Sequence, residues 1–256
     1  MAFARATLAL LMVFGLASCG KKAAVAPEAE PSEPVAAELE SPVAGSEGDP
    51  DAIEVTPAAD STGGGASLLA EATQILSTMS ASTYSHHTHV EGGVYDVDCS
   101  GFVDYLLGRV AAPALNELRA ATVRRPLAKH FVQFFADDAS PSGHWQRVAR
   151  VSELEPGDII AWLKPADLSS TNTGHVMIVA GALEARPESR WSVPIIDSSA
   201  APHGKHDARK LAHTTGIGRG TIVLEADSAG APIAYHWTTF RTSPRHETTI
   251  TLGRVR

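Results

Sequence analysis

The 256-residue sequence lacks three features that would each define a class of protein. It has only two cysteines, so at most one disulfide is possible and no disulfide framework can hold the fold together. Its N-terminal apolar run, 6–16 (ATLALLMVFGL), is shorter than the roughly 20 residues that a membrane helix needs. Beyond residue 65 the 19 acidic and 18 basic residues nearly balance, so no basic excess points to nucleic acid.

The start of the chain has the pattern of an export signal. One basic residue, Arg5, precedes the apolar run, which ends in Leu16-Ala17-Ser18-Cys19. These four residues resemble the lipobox of bacterial lipoproteins, which implies a signal peptide at 1–18 and a lipid on Cys19. Gly20 after the cysteine implies sorting to the outer membrane. We therefore expect a lipid-anchored cell-envelope protein on the periplasmic face of the outer membrane. The alternative is an ordinary secretory signal with a coincidental cysteine.

The segment 19–65 is predicted to be an acidic tether. Within it, residues 23–65 hold ten of the 29 acidic residues, no Lys or Arg and no aromatic residue. A segment rich in Ala, Pro and Glu cannot bury enough apolar surface to offset the entropy lost on ordering. We therefore expect it to be disordered, and we place the folded domain at 66–256.

Beyond the tether, the hydrophobic pattern predicts helices first and strands afterwards. This order is typical of an α+β domain rather than of alternating β–α–β units. The polar segment 80–98 is interpreted as a loop. The segment 216–220 (GIGRG) is interpreted as a turn, because it precedes a strand instead of opening a helix. The predicted helices are 67–80, 99–108, 113–121 and 126–136, and the predicted strands are 159–163, 176–180, 193–196, 221–225 and 233–237.

Cys99 is the one thiol in the predicted domain, and its setting indicates chemistry. It opens a predicted helix, where free backbone N–H groups and the helix dipole favour a thiolate. A thiolate nucleophile needs a group that accepts and returns a proton, and histidine is the usual one. Of the 11 histidines, His175 has the most suitable position, directly after Gly174 and directly before the apolar run 176–180.

Three strings occur in a characteristic order: DCSGFV at 98–103, ELEPGDIIAW at 153–162 and GHVMIVAG at 174–181. They resemble the signatures of the NlpC-like family of papain-fold cell-wall cysteine peptidases. The resemblance covers about residues 67–200. It implies a papain-like fold, in which N-terminal helices pack on an antiparallel sheet. The stretch from Cys99 to His175 is longer than is usual in that family, with extra helical material around 110–145.

The family resemblance also implies roles for individual residues. Cys99 would be the nucleophile, His175 the base, and a polar residue on the next strand, here Asp197, would orient the imidazole. The tyrosine that helps to bind the oxyanion in the family corresponds to Tyr84 or Tyr95. Tyr84 is favoured because Tyr95 lies only four residues before Cys99.

The resemblance and the expected location predict a cysteine hydrolase that needs no cofactor. It would cleave amide bonds, of peptidoglycan stem peptides or another amide substrate, through an acyl-enzyme. Two alternatives stay open. The same residues could serve an acyltransferase or a lipid-ester or thioester hydrolase, for which a deep apolar cleft is expected instead of an open polar one. A non-catalytic envelope lipoprotein could also keep the fold as a binding module.

Other polar and aromatic residues receive weaker assignments. The cluster of His86, His87 and His89 is not interpreted as a metal site, because no second group of ligands has suitable spacing. The four tryptophans are interpreted as packing residues. The candidate contacts to substrate are Ser100, Gly174, His203, Asp207 and Arg209.

Overall fold

A computed structural model describes residues 64–137 and 143–256. The predicted signal peptide, Cys19 and all but the last two residues of the predicted tether lie outside the described residues. No helix within the described ranges combines the length and the apolar character needed to cross a membrane.

The helices precede most of the strands, as the sequence predicts. The first helix starts at Gly64, three residues before the predicted start, and the helical assignments around 99–108, 113–121 and 126–136 are confirmed. The helices of the described chain are α1 (Gly64–Thr78), α2 (Cys99–Val110), α3 (Ala112–Ala121), α4 (Ala128–Ala136) and α5 (Ala208–Ala212), with a 3₁₀ turn at Val151–Glu153.

Two sheets account for the described strands. The smaller sheet has the order β1-β3-β2, and its β1–β3 pairing is parallel. The larger sheet has the order β11-β10-β9-β8-β6-β5-β12-β4, with β7 paired to β8, and its pairings are antiparallel. The strands are β1 (Ala81–Tyr84), β2 (His89–Glu91), β3 (Val94–Val97), β4 (Trp145–Val148), β5 (Ile159–Leu163), β6 (Gly174–Val179), β7 (Glu184–Arg186), β8 (Arg190–Ser199), β9 (Gly216–Ala226), β10 (Pro232–His236), β11 (Arg245–Glu247) and β12 (Ile250–Val255).

Alternate residues of the central strands enter two separate hydrophobic clusters. In β6, Val176 and Ile178 pack into the cluster shared with the helices, whereas Met177 and Val179 pack into the cluster on the opposite face. Helix α2 contacts β6 and β8, and α4 contacts β5, β6 and β12. Helices α1 to α4 therefore pack on one face of an antiparallel sheet, which makes the fold α+β.

The structure corrects two local predictions. The segment 80–98, predicted as a loop, contains the three strands of the smaller sheet. These strands have only three or four residues, too few to give an alternating pattern, and they depend on distant partners. Ser82 Oγ donates to the carbonyl of Tyr95 and accepts the backbone N–H of Ile217, both at 2.9 Å. The GIGRG segment at 216–220, predicted as a turn, is the first half of β9.

Candidate active site

Cys99 is the first residue of α2, and the residue before it caps the helix. Asp98 Oδ1 accepts the backbone N–H of Gly101 at 2.6 Å and the hydroxyl of Ser100 at 2.9 Å. Cys99 as a residue is 5% exposed, so it borders the surface without being open to bulk water. A negative charge on sulfur at this position is favoured by the positive end of the helix dipole.

His175 is the second residue of β6 and lies opposite Trp162 of β5. A side chain at the preceding position, Gly174, would collide with the carbonyl oxygen of Trp162, and the positive φ of 144° also favours glycine there. The histidine Nε2 lies 2.6 Å from Asp197 Oδ2. Since that nitrogen is engaged, Nδ1 is the ring atom left to exchange a proton with the Cys99 sulfur.

The electrostatics of this pair favour a charged imidazole. Burial alone would lower the pKa of His175, but the negative charge of Cys99 and the hydrogen bonds to Asp197 and Cys99 outweigh burial and raise it to about 10. The arrangement therefore suits an imidazolium beside a thiolate.

Asp197 is fully buried in β8, on the same sheet face as His175. Its Oδ2 also lies 2.9 Å from His203 Nε2, and its Oδ1 lies 2.9 Å from Arg209 Nη2. Burial would raise the pKa of Asp197, but the charges of His203 and Arg209, together with the hydrogen bond from His175, hold it well below its usual range. The carboxylate is therefore ionised, and it fixes the His175 ring.

Of the two tyrosines considered for the oxyanion, Tyr84 lies at this site. It ends β1 and borders the cleft beside Cys99. Burial raises the pKa of Tyr84 well above its usual range, and the negative charges of Cys99 and Asp98 raise it further, so the phenol keeps its proton. Tyr95 instead packs edge-on against Tyr105, with 5.8 Å between the ring centroids.

A cleft of about 220 Å³ opens beside the thiol, and most of the residues that line it are of polar type. One wall comes from the segment 84–100, and the other comes from the β5–β6 connection at 171–174. The predicted contacts Ser100 and Gly174 both line it. The lining residues are Tyr84, His86, Asp98, Cys99, Ser100, Leu127, Ala128, Thr171, Asn172, Thr173 and Gly174.

Three of the predicted substrate contacts lie elsewhere. His203, Asp207 and Arg209 are each at most 3% exposed and are absent from the cleft lining of the described residues. His203 and Arg209 contact the Asp197 carboxylate, and Asp207 pairs with Arg209. The prediction that these three residues contact substrate is therefore wrong, and they instead support the Asp197 carboxylate.

Two aromatic residues, Trp162 and Trp237, also belong to the site, although the sequence pattern predicts only a packing role for them. The ring of Trp237 packs at a tilt against that of His203, with 4.0 Å between centroids, and its centroid lies 5.1 Å from that of His175. The Trp237 carbonyl oxygen is 3.0 Å from His203 Nδ1. Trp162 lies 5.7 Å from His175. Trp162 could have been found as the cross-strand partner of His175 once β5 and β6 were paired, whereas nothing in the sequence around Trp237 signals its role.

His175, Asp197 and His203 bring ligand-type atoms within 4.8 Å of one another, a spacing that a metal ion could bridge. Both histidine Nε2 atoms, however, face the same carboxylate oxygen at 2.6 and 2.9 Å. Nitrogens at those distances from a carboxylate carry protons rather than free lone pairs, so the cluster is a hydrogen-bond network.

The fold and the site thus define an α+β protein with a buried Cys–His–Asp arrangement beside a polar cleft. No known protein family matches the chain by its sequence profile. Over 178 residues, 62% of this chain, the sequence is 30% identical to the uncharacterized protein R653 of Acanthamoeba polyphaga mimivirus and spans 77% of that protein. The chain therefore belongs to the same family as that viral protein. No solved structure matches.

The ionised carboxylate predicts a pH-dependent stability. Asp197 has a depressed pKa when folded, so its contribution is present above its unfolded value of about 3.9 and is lost as the pH falls below it. His175 has a raised pKa, so its contribution is complete below about 6.5 and is lost as the pH rises through about 10. Asp197→Asn should therefore lose about 3–5 kcal/mol of unfolding free energy, with the largest deficit between about pH 4 and 6.5.

Urea unfolding of the wild type and the variant at pH 3, 5.5 and 9.5 measures this deficit. Glu184→Gln, an exposed position in β7, is the control and should stay within about 0.5 kcal/mol of the wild type at each pH. A deficit for Asp197→Asn that does not change with pH would contradict the assigned charges.

Proposed function

We propose that the protein is a papain-like cysteine hydrolase that cleaves an amide bond through a covalent acyl-enzyme. The observation that carries the proposal is one chain of contacts. Cys99, at the N-terminus of α2, is close enough to His175 for its negative charge to raise the pKa of that imidazole, whose Nε2 lies 2.6 Å from the buried carboxylate of Asp197. A nucleophile, a proton carrier and an orienting group in contact are the parts that acyl transfer needs.

The first half of the reaction forms the acyl-enzyme. The Cys99 thiolate attacks the carbonyl carbon, and the electron pair of the C=O bond moves to oxygen. The oxyanion accepts hydrogen bonds from the backbone N–H of Cys99 and the hydroxyl of Tyr84. The His175 imidazolium then gives its proton to the amide nitrogen, the C–N bond breaks, and the amine leaves.

The second half regenerates the enzyme. Neutral His175 takes a proton from water, and the hydroxide attacks the thioester carbon. The C–S bond breaks, the acid product leaves, and the thiolate is restored beside the imidazolium. Asp197 remains ionised throughout and holds Nε2–H, so that Nδ1 is the atom that exchanges the proton.

The cleft favours an amide substrate over a long acyl chain. Leu127 and Ala128 are the purely aliphatic side chains among its described lining residues, and the remainder is dominated by hydroxyl, amide, imidazole and carboxyl groups. A long acyl chain binds favourably only where a deep apolar pocket removes it from water, whereas a peptide can form hydrogen bonds with polar residues of the cleft. This observation supports a peptidase over the lipid-hydrolase and acyltransferase alternatives.

The resemblance to NlpC-like peptidases suggests peptidoglycan stem peptides as the substrate. The motif at 98–103 contains the helix start with the thiol, and the motif at 174–181 contains the strand with the imidazole. The lipobox ending at Cys19 and the acidic tether that follows would keep the domain near the cell wall, on the periplasmic face of the outer membrane. Substrate and location are both parts of the proposal.

Incubation of the full-length protein with peptidoglycan stem peptides tests the function directly. Wild type should release a new amine and a new carboxyl, and Cys99→Ser should reduce the rate by at least about 10³-fold, because a serine lacks the stabilised anion of the thiolate. Lipid esters and acyl thioesters serve as parallel substrates. Faster turnover of those would overturn the peptidase assignment, and no Cys99-dependent turnover of any substrate would favour the binding module.

The oxyanion role of Tyr84 gives a separate prediction. Tyr84→Phe removes one donor without changing the volume of the cleft, so kcat should fall about 10²-fold or more while KM changes little. Tyr95→Phe is the matched control, because Tyr95 is in the same small sheet but packs on Tyr105. Equal kinetics for Tyr84→Phe and wild type would remove Tyr84 from the mechanism.

A further inference from the structure

The hydrogen bonds around His203 leave no acceptor position on its ring. Nε2 faces the Asp197 carboxylate at 2.9 Å, and Nδ1 faces the carbonyl oxygen of Trp237 at 3.0 Å. Both oxygens only accept hydrogen bonds, so each ring nitrogen must donate one. A neutral imidazole carries a single N–H, and only the imidazolium carries two. The side chain is fully buried, so water offers no alternative partner.

We propose that His203 is an imidazolium and that His203 and Arg209 are positioning residues for the catalytic carboxylate. They touch neither the cleft nor the nucleophile. They act on His175 through Asp197, and this role rests on the proposed hydrolase function.

The charges of the buried network balance only if His203 is charged. With Cys99 and His175 as the proposed ion pair, Cys99, Asp197 and Asp207 supply three negative charges, and His175 and Arg209 supply two positive ones. An imidazolium at His203 is the third, which makes the six groups neutral together. Buried ions are tolerated only when they are paired, so a neutral His203 would leave an uncompensated negative charge.

Arg209 and Asp207 form the outer layer of this network. The guanidinium makes a bidentate contact to the Asp207 carboxylate, with bonds of 2.7 to 3.2 Å, and Nη1 donates to the carbonyl of Gly216 at 2.8 Å. Asp207 Oδ2 also accepts the backbone N–H of His203 at 2.8 Å. The charged groups facing His203 are therefore Asp197, Asp207, Arg209 and His175.

The glycines of β9 explain how these large side chains fit against the sheet. Gly218 lies directly opposite Asp197 in the β8–β9 pairing, and a Cβ there would collide with the Arg209 guanidinium. A Cβ at Gly220 would collide with the side chain of His203. The alternating glycines of the GIGRG segment thus give a face without side chains, on which Arg209 and His203 lie in contact with the carboxylate.

The two positioning residues contact different oxygens of the Asp197 carboxylate. Asp197 Oδ2 lies within hydrogen-bond distance of two histidine nitrogens, whereas Oδ1 has the Arg209 ion pair and no well-aligned hydrogen bond. Loss of the His203 charge would make protonation of Asp197 easier. A protonated carboxyl no longer holds the His175 imidazolium, so catalysis would weaken without loss of a substrate contact.

Nuclear magnetic resonance on the full-length protein tests the protonation state without a substrate. With ¹⁵N-labelled histidine, both ring nitrogens of His203 should show attached protons between pH 7 and 8. The signals are assigned by their loss in His203→Gln. A ring with one protonated and one free nitrogen would overturn the inference, whether or not the protein hydrolyses peptides.

The titration of the Asp197 side-chain carbon then tests the positioning role. Gln keeps a neutral N–H donor in place of His203 Nε2–H but removes the charge, so Asp197 should titrate at a pH higher by about one unit or more. The kcat of His203→Gln should fall about tenfold relative to wild type, and its KM should stay within about twofold. Gly218→Ala, which displaces Arg209, should move the titration in the same direction.

His236→Gln is a matched control for these changes. His236 also lies between a carboxylate and a carbonyl, Glu225 at 2.9 Å and Ser243 at 3.0 Å, but it is outside the network. The substitution His236→Gln should leave the titration of Asp197 unchanged. An Asp197 titration unaltered in both His203→Gln and Gly218→Ala, with only stability lowered, would reduce His203 and Arg209 to packing residues.

Discussion

The buried carboxylate of Asp197 is the interaction on which the site depends. An isolated carboxylate without access to water would be protonated, and a neutral acid could not orient a charged imidazole. Here one oxygen lies within hydrogen-bond distance of His175 and His203, and the other pairs with Arg209. The partners keep the charge, and the charge in turn fixes the ring that faces Cys99.

The antiparallel sheet brings these groups together. Strands β6 and β8 pair so that His175 and Asp197 share one face, and β9 presents a face of glycines beside the carboxylate. On the opposite face, α2 packs against β6 and β8, and the thiol is at the N-terminus of this helix. Cys99, His175 and Asp197 are each held on a regular element, which limits the number of conformations the site can adopt.

Local patterns were sufficient to find the thiol and its partner, but not the groups behind them. Cys99 at a helix start and His175 before an apolar strand are each visible within about ten residues. The role of His203, the contact of Trp237 and the purpose of the GIGRG segment depend on pairing between distant strands. The strands within 80–98 have only three or four residues each, too few to show a periodic pattern. Membership of the NlpC-like family and lipidation of Cys19 stay predictions.

The central claim is that Cys99 and His175 form an ion pair, and the rate of Cys99 alkylation by iodoacetamide as a function of pH tests it most directly. The rate is read by mass spectrometry on the peptide that contains Cys99 in the full-length protein. We expect the wild-type rate at pH 6 to remain close to the rate at pH 8, and the rate in His175→Ala to follow an ordinary thiol with a midpoint near about 8.5. A wild-type rate that rises with that same midpoint, unaffected by the substitution, would contradict the ion pair and the hydrolase that depends on it.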